Sequence, residues 1–547
     1  MTEAQWPGEA ATGPMRAVEE FAGAVLERGL DRWSPARTPL FADGCQVATW
    51  EPVEWVRDGR HHIVSNFASQ QNLMRTLVGL SRITGDDRYR RAAREATAFM
   101  FERFRSPCGL LYWGGHTFVD LRTLEVVHIE GPRHEIKMHL PYYELLWEVD
   151  SGATARFIRA YWSGNMHDWR RLELNRHADY GQPPDDLWAS EWDDPEPLYE
   201  TTHHGSVMPL SDMTWSAAML HMLSGGAEKS LPWARRMALM LARARHPETG
   251  LGAAKFTVLL KQQEVPEHLK ESRQATFTIY GDRAQSQFGA EFGPAAIEPW
   301  QLWGVLVRRI YFEYSLAQMA IFEQLGESGR EFLDWTVEGL KAWANHAYDP
   351  ASNHFRAMWG DGTDMTGYVV ERFGSNSEVG TVIEATPADP CYLLAYARAW
   401  RLSADADLWT TAREIARGNG LGDIGAPGGE GVELNPATDC SDPLALLALL
   451  ELHRGTGRPV YLPMAGRIGE NIVTDRFHNS LFISGATYRY ARFDALEPLA
   501  LLTLEAAMRG KIDAVPSFIG GLHRYLQGPA DGHERTTDHK LFYQLQA

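Results

Sequence analysis

The chain has 547 residues and a formal net charge of −18, with 44% hydrophobic and 23% charged residues. This composition is ordinary for a globular protein, and the acidic balance argues against nucleic acid or an anionic membrane as a partner, since both require a basic face. No run of about 18 apolar residues suggests a transmembrane helix. The first residues, MTEAQWPGEA, have no basic region followed by an apolar one. We therefore predict a cytoplasmic protein without a signal peptide.

The four cysteines are scattered along the chain and no two have CxxC spacing, so neither a zinc knuckle nor a redox motif is indicated. Reduced, mostly buried thiols are the expected state. The residues are Cys45, Cys108, Cys391 and Cys440.

Apolar residues recur at helical spacing along most of the chain. Residues 70–84 predict one helix, and after a Gly-Asp-Asp turn residues 88–104 predict a second. The same unit of helix, polar turn and helix returns at 391–418 and at 443–473. Repeated hairpins of roughly 40 to 50 residues predict a solenoid or a closed ring. We expect an all-α dominated α/α toroid of about seven hairpins, formed by residues 1–547 as a single catalytic domain, with an open α-solenoid scaffold as the alternative.

Residues 245–300 differ from the rest of the chain, because they mix β-branched and aromatic runs (KFTVLL, ATFTIYG) with turn residues. This pattern predicts a strand-containing arm or insertion beside the helices. No GxGxxG, Walker A or GxSxG motif is present, so no nucleotide site or serine nucleophile is indicated.

Histidines are concentrated in one part of the chain. Neutral imidazole is a common ligand of transition metals, so the concentration suggests a metal site. No HExxH motif accompanies it, and any one of these histidines can equally be structural. Six of the 20 histidines lie in this part: His116, His128, His134, His139, His167 and His177.

Three segments in this part combine polar side chains with turn residues. In LYWGGHTFVDL, His116 follows two glycines, where little side-chain bulk prevents a ligand from approaching. In RHEIKMHLPYYELLWEVD, Glu135 precedes a helical pattern, and in LELNRHADYG, Arg176 is next to His177. The plain alternatives are a solvated Glu–His pair and an ordinary polar turn.

These segments, taken in order, resemble those of the family 2 polysaccharide lyases, the pectate lyases of the α/α-toroid type. The resemblance also includes QQNLMRTLVGLSRITGDDRY near the start, YGDRAQSQFGAEFG at 280–293 and TTDHK near the end. It implies a divalent transition metal, with Mn²⁺ expected first and Ni²⁺, Co²⁺ or Zn²⁺ as alternatives. By motif, the implied metal ligands are His116, Glu135 and His177, and the implied catalytic base is Arg176. Glu130 is the alternative to Glu135, since the spacing from His116 is shorter than in pectate-active members.

Five further residues are predicted to contact the substrate. Arg283 is placed to pair with a uronate carboxylate, Tyr280 to stack on or hydrogen-bond a sugar, and Lys137 to face the site. His203 and His204, in ETTHHGSVMPLSDMTW, depart from the pattern expected of pectate-active members. If they line the cleft, they indicate a uronate substrate other than polygalacturonate.

The implied chemistry is β-elimination from an acidic sugar. The proton on C5 of a uronate is weakly acidic because the carbanion would form beside a carboxylate, and a divalent cation on that carboxylate offsets the charge. Arg176 would then be the base, or a cation that clamps the carboxylate. We therefore predict a metal-assisted lyase that cleaves uronate-containing oligo- or polysaccharide. The alternatives are a toroid sugar hydrolase or epimerase, and a non-catalytic carbohydrate-binding toroid.

Overall fold

The structure is a computed structural model of the chain. It describes residues 13–57, 59–115, 117–128, 131–136, 138–197, 200–201, 208–253, 258–259, 301–371, 378–483, 490–521, 528–529 and 534–535.

Helices dominate the described residues, and most of them form antiparallel pairs joined by short turns. In chain order they are α1 (Gly13–Ala24), α2 (Gln71–Thr84), α3 (Arg88–Arg103), α4 (Tyr143–Val149), α5 (Ser151–Asn165), α6 (Met208–Leu223), α7 (Leu231–Arg243), α8 (Val305–Arg308), α9 (Ser315–Leu325), α10 (Arg330–Ala347), α11 (Pro390–Ser403), α12 (Ala406–Gly418), α13 (Pro443–Thr456), α14 (Tyr461–Arg476) and α15 (Glu497–Met508).

The hairpins are arranged in a closed ring. The pairs α2/α3, α4/α5, α6/α7, α9/α10, α11/α12 and α13/α14 follow one another, and within the ring α6 contacts α9, α9 contacts α11, α11 contacts α13 and α13 contacts α15. Helix α15 contacts both α2 and α1, so the first described helix supplies the outer partner of the last one. The described residues thus contain seven hairpins, and the predicted α/α toroid is confirmed while the open solenoid is excluded.

The sequence decides which helix of a pair lies inside the ring. Helix α13 (PLALLALLELHRGT) is buried on every side from Pro443 to Leu452, as expected for a helix that is apolar all round. By contrast, α12, the outer partner of α11, buries only one face, which includes Leu408, Trp409 and Ile415. Helix α13 begins at an Asp-Pro pair, with Asp442 capping the N–H of Leu444 at 2.7 Å.

The strands are short, and only one described sheet has four strands. Strands β2 to β5 form a four-stranded antiparallel sheet in the order β2-β3-β4-β5, and the other strands form pairs or a group of three. The strands are β1 (Gly44–Gln46), β2 (Glu54–Arg57), β3 (Arg60–Ser65), β4 (Thr117–Asp120), β5 (Glu125–His128), β6 (Met166–Asp168), β7 (Glu173–Leu174), β8 (Glu200–Thr201), β9 (Val258–Leu259), β10 (Gln301–Leu302), β11 (Tyr348–Asp349), β12 (His354–Phe355), β13 (Met358–Trp359), β14 (Thr386–Pro387), β15 (Gly422–Asp423), β16 (Glu433–Leu434), β17 (Phe477–His478), β18 (Leu481–Phe482), β19 (Tyr490–Arg492), β20 (Gly528–Pro529) and β21 (Glu534–Arg535).

The four-stranded sheet was not anticipated by the sequence analysis, which placed strands only at 245–300. Most of that segment lies outside the described residues, so the strand-containing arm stays a prediction, as does the assignment of residues 1–547 to a single catalytic domain. In the described part of the segment, Val258–Leu259 pairs with Glu200–Thr201 in a parallel arrangement. Among the described helices, none has the length and apolar character needed to cross a membrane.

Candidate active site

The three segments singled out in the sequence meet at one place. Gly114 forms a parallel bridge with Glu135, and His134 forms an antiparallel bridge with Ala178. The N–H of Gly115 donates to the carbonyl of Glu135 at 2.8 Å, and the N–H of Ala178 donates to that of His134 at 2.8 Å. The segment carrying Glu135 therefore lies between the glycine loop and the Arg-His turn, joined to both through its backbone.

Two glycines permit this close approach. Gly114 has a φ of +101°, and a Cβ atom there would lie 2.1 Å from the backbone oxygen of Glu135. A Cβ atom on Gly115 would lie 2.7 Å from Oε2 of the Glu135 side chain. Any larger residue would thus displace the backbone at the first position and the carboxylate at the second.

The side chain of Asn66 fixes the glycine loop through hydrogen bonds to Gly114. Its side-chain amide donates to the carbonyl of Gly114 at 2.8 Å and accepts from the N–H of the same residue at 3.0 Å. Asn66 is buried, and its own N–H donates to Asp43 at 2.8 Å. This two-point contact fixes the position of the loop, because both backbone groups of Gly114 are bound by one side chain.

Glu135 is the centre of the site. Its side chain is fully buried, and its Oε1 atom lies 3.5 Å from Nε of Arg176 and 3.7 Å from Nε2 of His177. The Arg176 side chain is 30% exposed and that of His177 is 9% exposed. Arg176 is thus the member of this group that can extend to a molecule bound from outside, while Glu135 and His177 form its buried side.

The turn carrying Arg176 and His177 is fixed to the end of α5. The N–H of Asn175 donates to the carbonyl of Asn165 at 2.7 Å, and the N–H of Asp179 donates to that of Gly164 at 3.0 Å. The side chain of Asn175 accepts from the N–H of His177 at 3.1 Å. The two adjacent candidate side chains, Arg176 and His177, are therefore positioned by hydrogen bonds to the end of a helix.

The loop after Glu135 is held by a buried carboxylate. Met138 and Leu140 have φ values of 55° and 45°, a region that costs non-glycine residues about 1 kcal/mol or more. Their N–H groups donate to Asp212 of α6, at 2.7 Å for Leu140, and Arg75 donates to the carbonyl of Leu140 at 2.7 Å. Burial raises the pKa of Asp212 to about 7, although the backbone donors act in the opposite direction.

The other described histidines of the cluster differ in their surroundings. His134 is buried and accepts from the indole N–H of Trp113 at 3.2 Å, and burial lowers its pKa to about 3, so the ring is neutral near pH 7. His128 contacts the hydroxyl of Thr117 at 3.0 Å. His139 is fully buried, whereas His167 is exposed. The number of histidines that contribute to the site stays a prediction, because His116 lies outside the described residues.

Two of the three predicted metal ligands, Glu135 and His177, lie among the described residues, and their separation fits a shared metal ion. Two ligands of one ion, each about 2.1 Å from it, stand roughly 3.0 to 3.4 Å apart, and the 3.7 Å between Glu135 Oε1 and His177 Nε2 is close to that separation. The space that a Cβ atom on Gly115 would fill lies directly beside the carboxylate. No group of three or more metal-ligating side chains is present among the described residues. The third predicted donor, His116, is outside them.

Six of the predicted site residues lie outside the described residues, so their contribution stays a prediction; they are His116, Lys137, His203, His204, Tyr280 and Arg283. The alternative ligand Glu130 also lies outside. Conversely, Asn66 and Asp212, which hold two loops of the site, were not predicted from the sequence. Asp212 had a signal, because it is a charged residue in the otherwise apolar helix α6 (MPLSDMTWSAAMLHML), whereas nothing in the sequence distinguishes Asn66.

Comparison with known proteins gives a consistent result. The profile of a family described as "Periplasmic pectate lyase" matches residues 38–529. A pectate disaccharide-lyase of Dickeya dadantii (strain 3937) is 35% identical over 497 residues, which cover 88% of this chain and 87% of that protein. The family match includes all three segments of the site, so it agrees with the resemblance found from the motifs.

Solved structures are less similar. A D-mannose isomerase has a TM-score of 0.42 at 10% identity, with 76% of this chain and 88% of that chain covered. The GH76 α-mannanase BT2949 of Bacteroides thetaiotaomicron has a TM-score of 0.40 at 7% identity, with 91% and 96% covered. At these scores neither likeness decides fold or activity.

The prediction of a cytoplasmic protein is contradicted, because the matching family is described as periplasmic. That prediction depended on the composition of the first ten residues and on scattered cysteines. Three of the four cysteines are buried free thiols and Cys440 is half-buried. Buried unpaired thiols are compatible with more than one compartment, so this pattern did not decide the location.

Proposed function

Since this chain belongs to the family of periplasmic pectate lyases, and is thereby a carbon–oxygen lyase acting on polysaccharide, we propose that it cleaves oligogalacturonate-like chains by metal-assisted β-elimination. The substrate is acidic, as the names of the family and of the relative indicate. The proposal depends on one observation: Arg176 and His177, from one segment, both approach the fully buried carboxylate of Glu135, from another.

In this mechanism a proton leaves C5 of the uronate, the C4–O4 bond breaks, a C4–C5 double bond forms and the departing oxygen takes up a proton. Glu135 and His177, with His116 as the third donor, would hold the divalent cation. When bound, that cation supplies charge neutralisation at the uronate carboxylate. Arg176 is the exposed member of the group. In its deprotonated form it would take the C5 proton and become the cation, whereas as a cation it would clamp the carboxylate. Gly115 leaves room beside Glu135, and the backbone bridges keep these side chains in register.

The test is near-ultraviolet absorbance of the unsaturated product. The protein is incubated with trigalacturonate and a panel of other uronate oligosaccharides, first with Mn²⁺ and then with a chelator. We expect absorbance that rises with time, that the chelator abolishes and that Glu135→Gln reduces at least about 100-fold, the scale for loss of a group that stabilises transition-state charge. New reducing ends without absorbance would instead establish a hydrolase, and activity unaffected by chelator would contradict the metal.

A second experiment distinguishes the two roles of Arg176. Lysine keeps the positive charge but not the planar fork of donors. If Arg176 is the base, Arg176→Lys lowers kcat by about 100-fold or more, the range of general base catalysis, and leaves KM nearly constant. If Arg176 is a clamp on the carboxylate, the main change is a higher KM and kcat stays within a few-fold of the parent.

A further inference from the structure

A cavity lies in the wall of the ring, between hairpin α6/α7 and hairpin α9/α10. The space between its lining residues, counted together with the solvent at its open mouth, measures about 700 Å³. Met138, three residues after Glu135, is one of the lining residues, so the cavity borders the loop that follows Glu135. Its polar and aromatic lining includes Ser211, Arg245, Arg309, Tyr314, Gln318 and Trp335.

The backbone departs from regular α-helix where it borders this cavity. Residues Arg309–Tyr314 form a π-helical segment between α8 and α9, and both ends of the segment, together with Ile310 and Tyr311, line the cavity. Such widened turns are rare and occur often at functional sites, because they redirect side chains that a regular helix would point elsewhere. The segment therefore presents a cation and two phenol rings to the same space.

Several polar groups of the lining lack a protein partner. Gln318 and Ser211 are 2% and 1% exposed, and neither the Oε1 atom of Gln318 nor the hydroxyl of Ser211 makes a hydrogen bond with a described residue. The hydroxyl of Tyr314 faces Gln318 but likewise completes no hydrogen bond within the described part of the chain. Buried polar groups are nearly always paired, so these atoms are available to hydrogen-bond the hydroxyl groups of a bound molecule or water.

The two arginines of the cavity differ in their pairing. Arg245 donates to Glu338 at 3.2 Å and to the carbonyl of Trp335, so its guanidinium is already bound. Arg309 forms no ion pair with any carboxylate that the structure describes, and its side chain is only partly exposed. A partly desolvated guanidinium that pairs with none of the described carboxylates is suited to a carboxylate of a ligand, which it can bind by two parallel hydrogen bonds.

We propose that this cavity binds one uronate unit of the substrate, away from the bond that is cleaved. Arg309 binds its carboxylate, Ser211, Tyr314 and Gln318 bind its hydroxyls, and Trp335 packs against the apolar face of the ring. The choice of a uronate rests on the proposed function, whereas the combination of one carboxylate with several hydroxyls follows from the lining alone. Because the cavity adjoins the loop of Glu135, occupying it would anchor the chain and lower KM without entering the chemical step.

The experiment measures binding separately from turnover. Digalacturonate is titrated by calorimetry into the full-length protein treated with chelator, and into its Arg309→Gln, Tyr314→Phe and Arg467→Gln variants. Arg467 is an exposed cation on α14 that pairs with Glu470 at 3.7 Å, so its variant is the control with the same change in charge. We expect Kd to rise at least about tenfold for Arg309→Gln, since a hydrogen bond to a charged group is lost, a few-fold for Tyr314→Phe, and not at all for Arg467→Gln.

A neutral galactose disaccharide provides the second comparison, because it lacks the carboxylate. Its Kd should be the same for the parent and for Arg309→Gln. In turnover, Arg309→Gln should raise KM with kcat within about twofold, since the residue acts on binding alone. Binding of digalacturonate that depends on Arg309, in a protein that forms no unsaturated product, would support the cavity and refute the proposed function.

Two results would overturn the cavity proposal. One is unsaturated product from a protein whose Arg309→Gln variant binds digalacturonate within twofold of the parent. The other is the absence of any digalacturonate binding by the chelator-treated parent.

Discussion

Replacing Gly115 with alanine tests whether the position of the Glu135 carboxylate determines activity. The added Cβ atom would lie 2.7 Å from Oε2 of Glu135, and ordinary contact requires roughly 3.4 Å, so the carboxylate must move by about 0.7 Å. A misplacement of about 1 Å in an active site can cost about 100-fold in rate. We therefore expect Gly115→Ala to lower kcat/KM for trigalacturonate by between about tenfold and about 100-fold.

The control is Gly181→Ala, because no atom lies within 4 Å of the Cβ position there. This variant should keep the activity of the parent. Both variants should remain folded, since the clash at Gly115 involves the end of a side chain and overpacking of this kind costs about 1 to 3 kcal/mol. Near-ultraviolet absorbance of the product measures turnover, and thermal unfolding followed by circular dichroism measures stability.

A double-mutant cycle gives the refutation. If Gly115→Ala acts by displacing Glu135, it should add little to the loss already caused by Glu135→Gln, because the displaced group is then no longer functional. Activity of Gly115→Ala within twofold of Gly181→Ala would show that the carboxylate does not need its described position. Full additivity of the two losses would show that Gly115 acts by another route.

Three further variants test the supports of the fold and site. Asn66→Ala removes both hydrogen bonds to Gly114 and should lower the free energy of unfolding in urea by about 1 to 3 kcal/mol, together with turnover; unchanged turnover would contradict its positioning role. Asp212→Asn weakens the hydrogen bonds to the loop of Met138 and should lower the free energy of unfolding by about 1.5 to 3 kcal/mol in the same assay. An unchanged free energy of unfolding would show that the loop does not depend on Asp212. Arginines on both sides of Glu451 hold its pKa below the usual range against the effect of burial, so Glu451→Gln should cost about 3 to 5 kcal/mol. The stabilisation by Glu451 is complete above the ordinary carboxyl pKa and is lost as pH falls below it, so stability of the parent should decrease more steeply in acid than that of the variant, and parallel curves would refute this.

The helical part of the fold was predictable because each inner and outer helix carries its own periodic pattern. Residues 70–84 were expected to be helical and α2 covers Gln71–Thr84, and the pattern of 443–453 corresponds to α13. Closure of the ring depends on contacts between residues hundreds of positions apart. The repeated hairpins in the sequence suggested a closed ring but did not distinguish it from an open solenoid. The four-stranded sheet escaped prediction since its strands are only four to six residues long and β3 pairs with β4 across a helical hairpin.

The site was predictable only in part. Glu135, Arg176 and His177 came from motifs, and the structure brings them together. Which histidines of the cluster take part stays a prediction, because His116 lies outside the described residues. His134 accepts a hydrogen bond from Trp113 in the core, an arrangement that no local sequence pattern distinguishes from a metal ligand. Asn66 and Asp212 act through the backbone of other segments. Such contacts depend on tertiary structure, and a single sequence contains no direct record of them.

The pairing of α1 with α15 has a consequence for synthesis of the chain. About 470 residues separate the two helices, and at roughly 5 to 20 residues per second the ribosome needs about 25 to 95 seconds to make them. Throughout that interval Val18 and Phe21, which are buried in the finished ring, have no partner, and Phe482, which packs 5.5 Å from Phe21, has yet to emerge. The newborn protein thus carries a helix whose apolar face is exposed until almost the last hairpin is complete. During this period it is most open to aggregation or to capture by a chaperone.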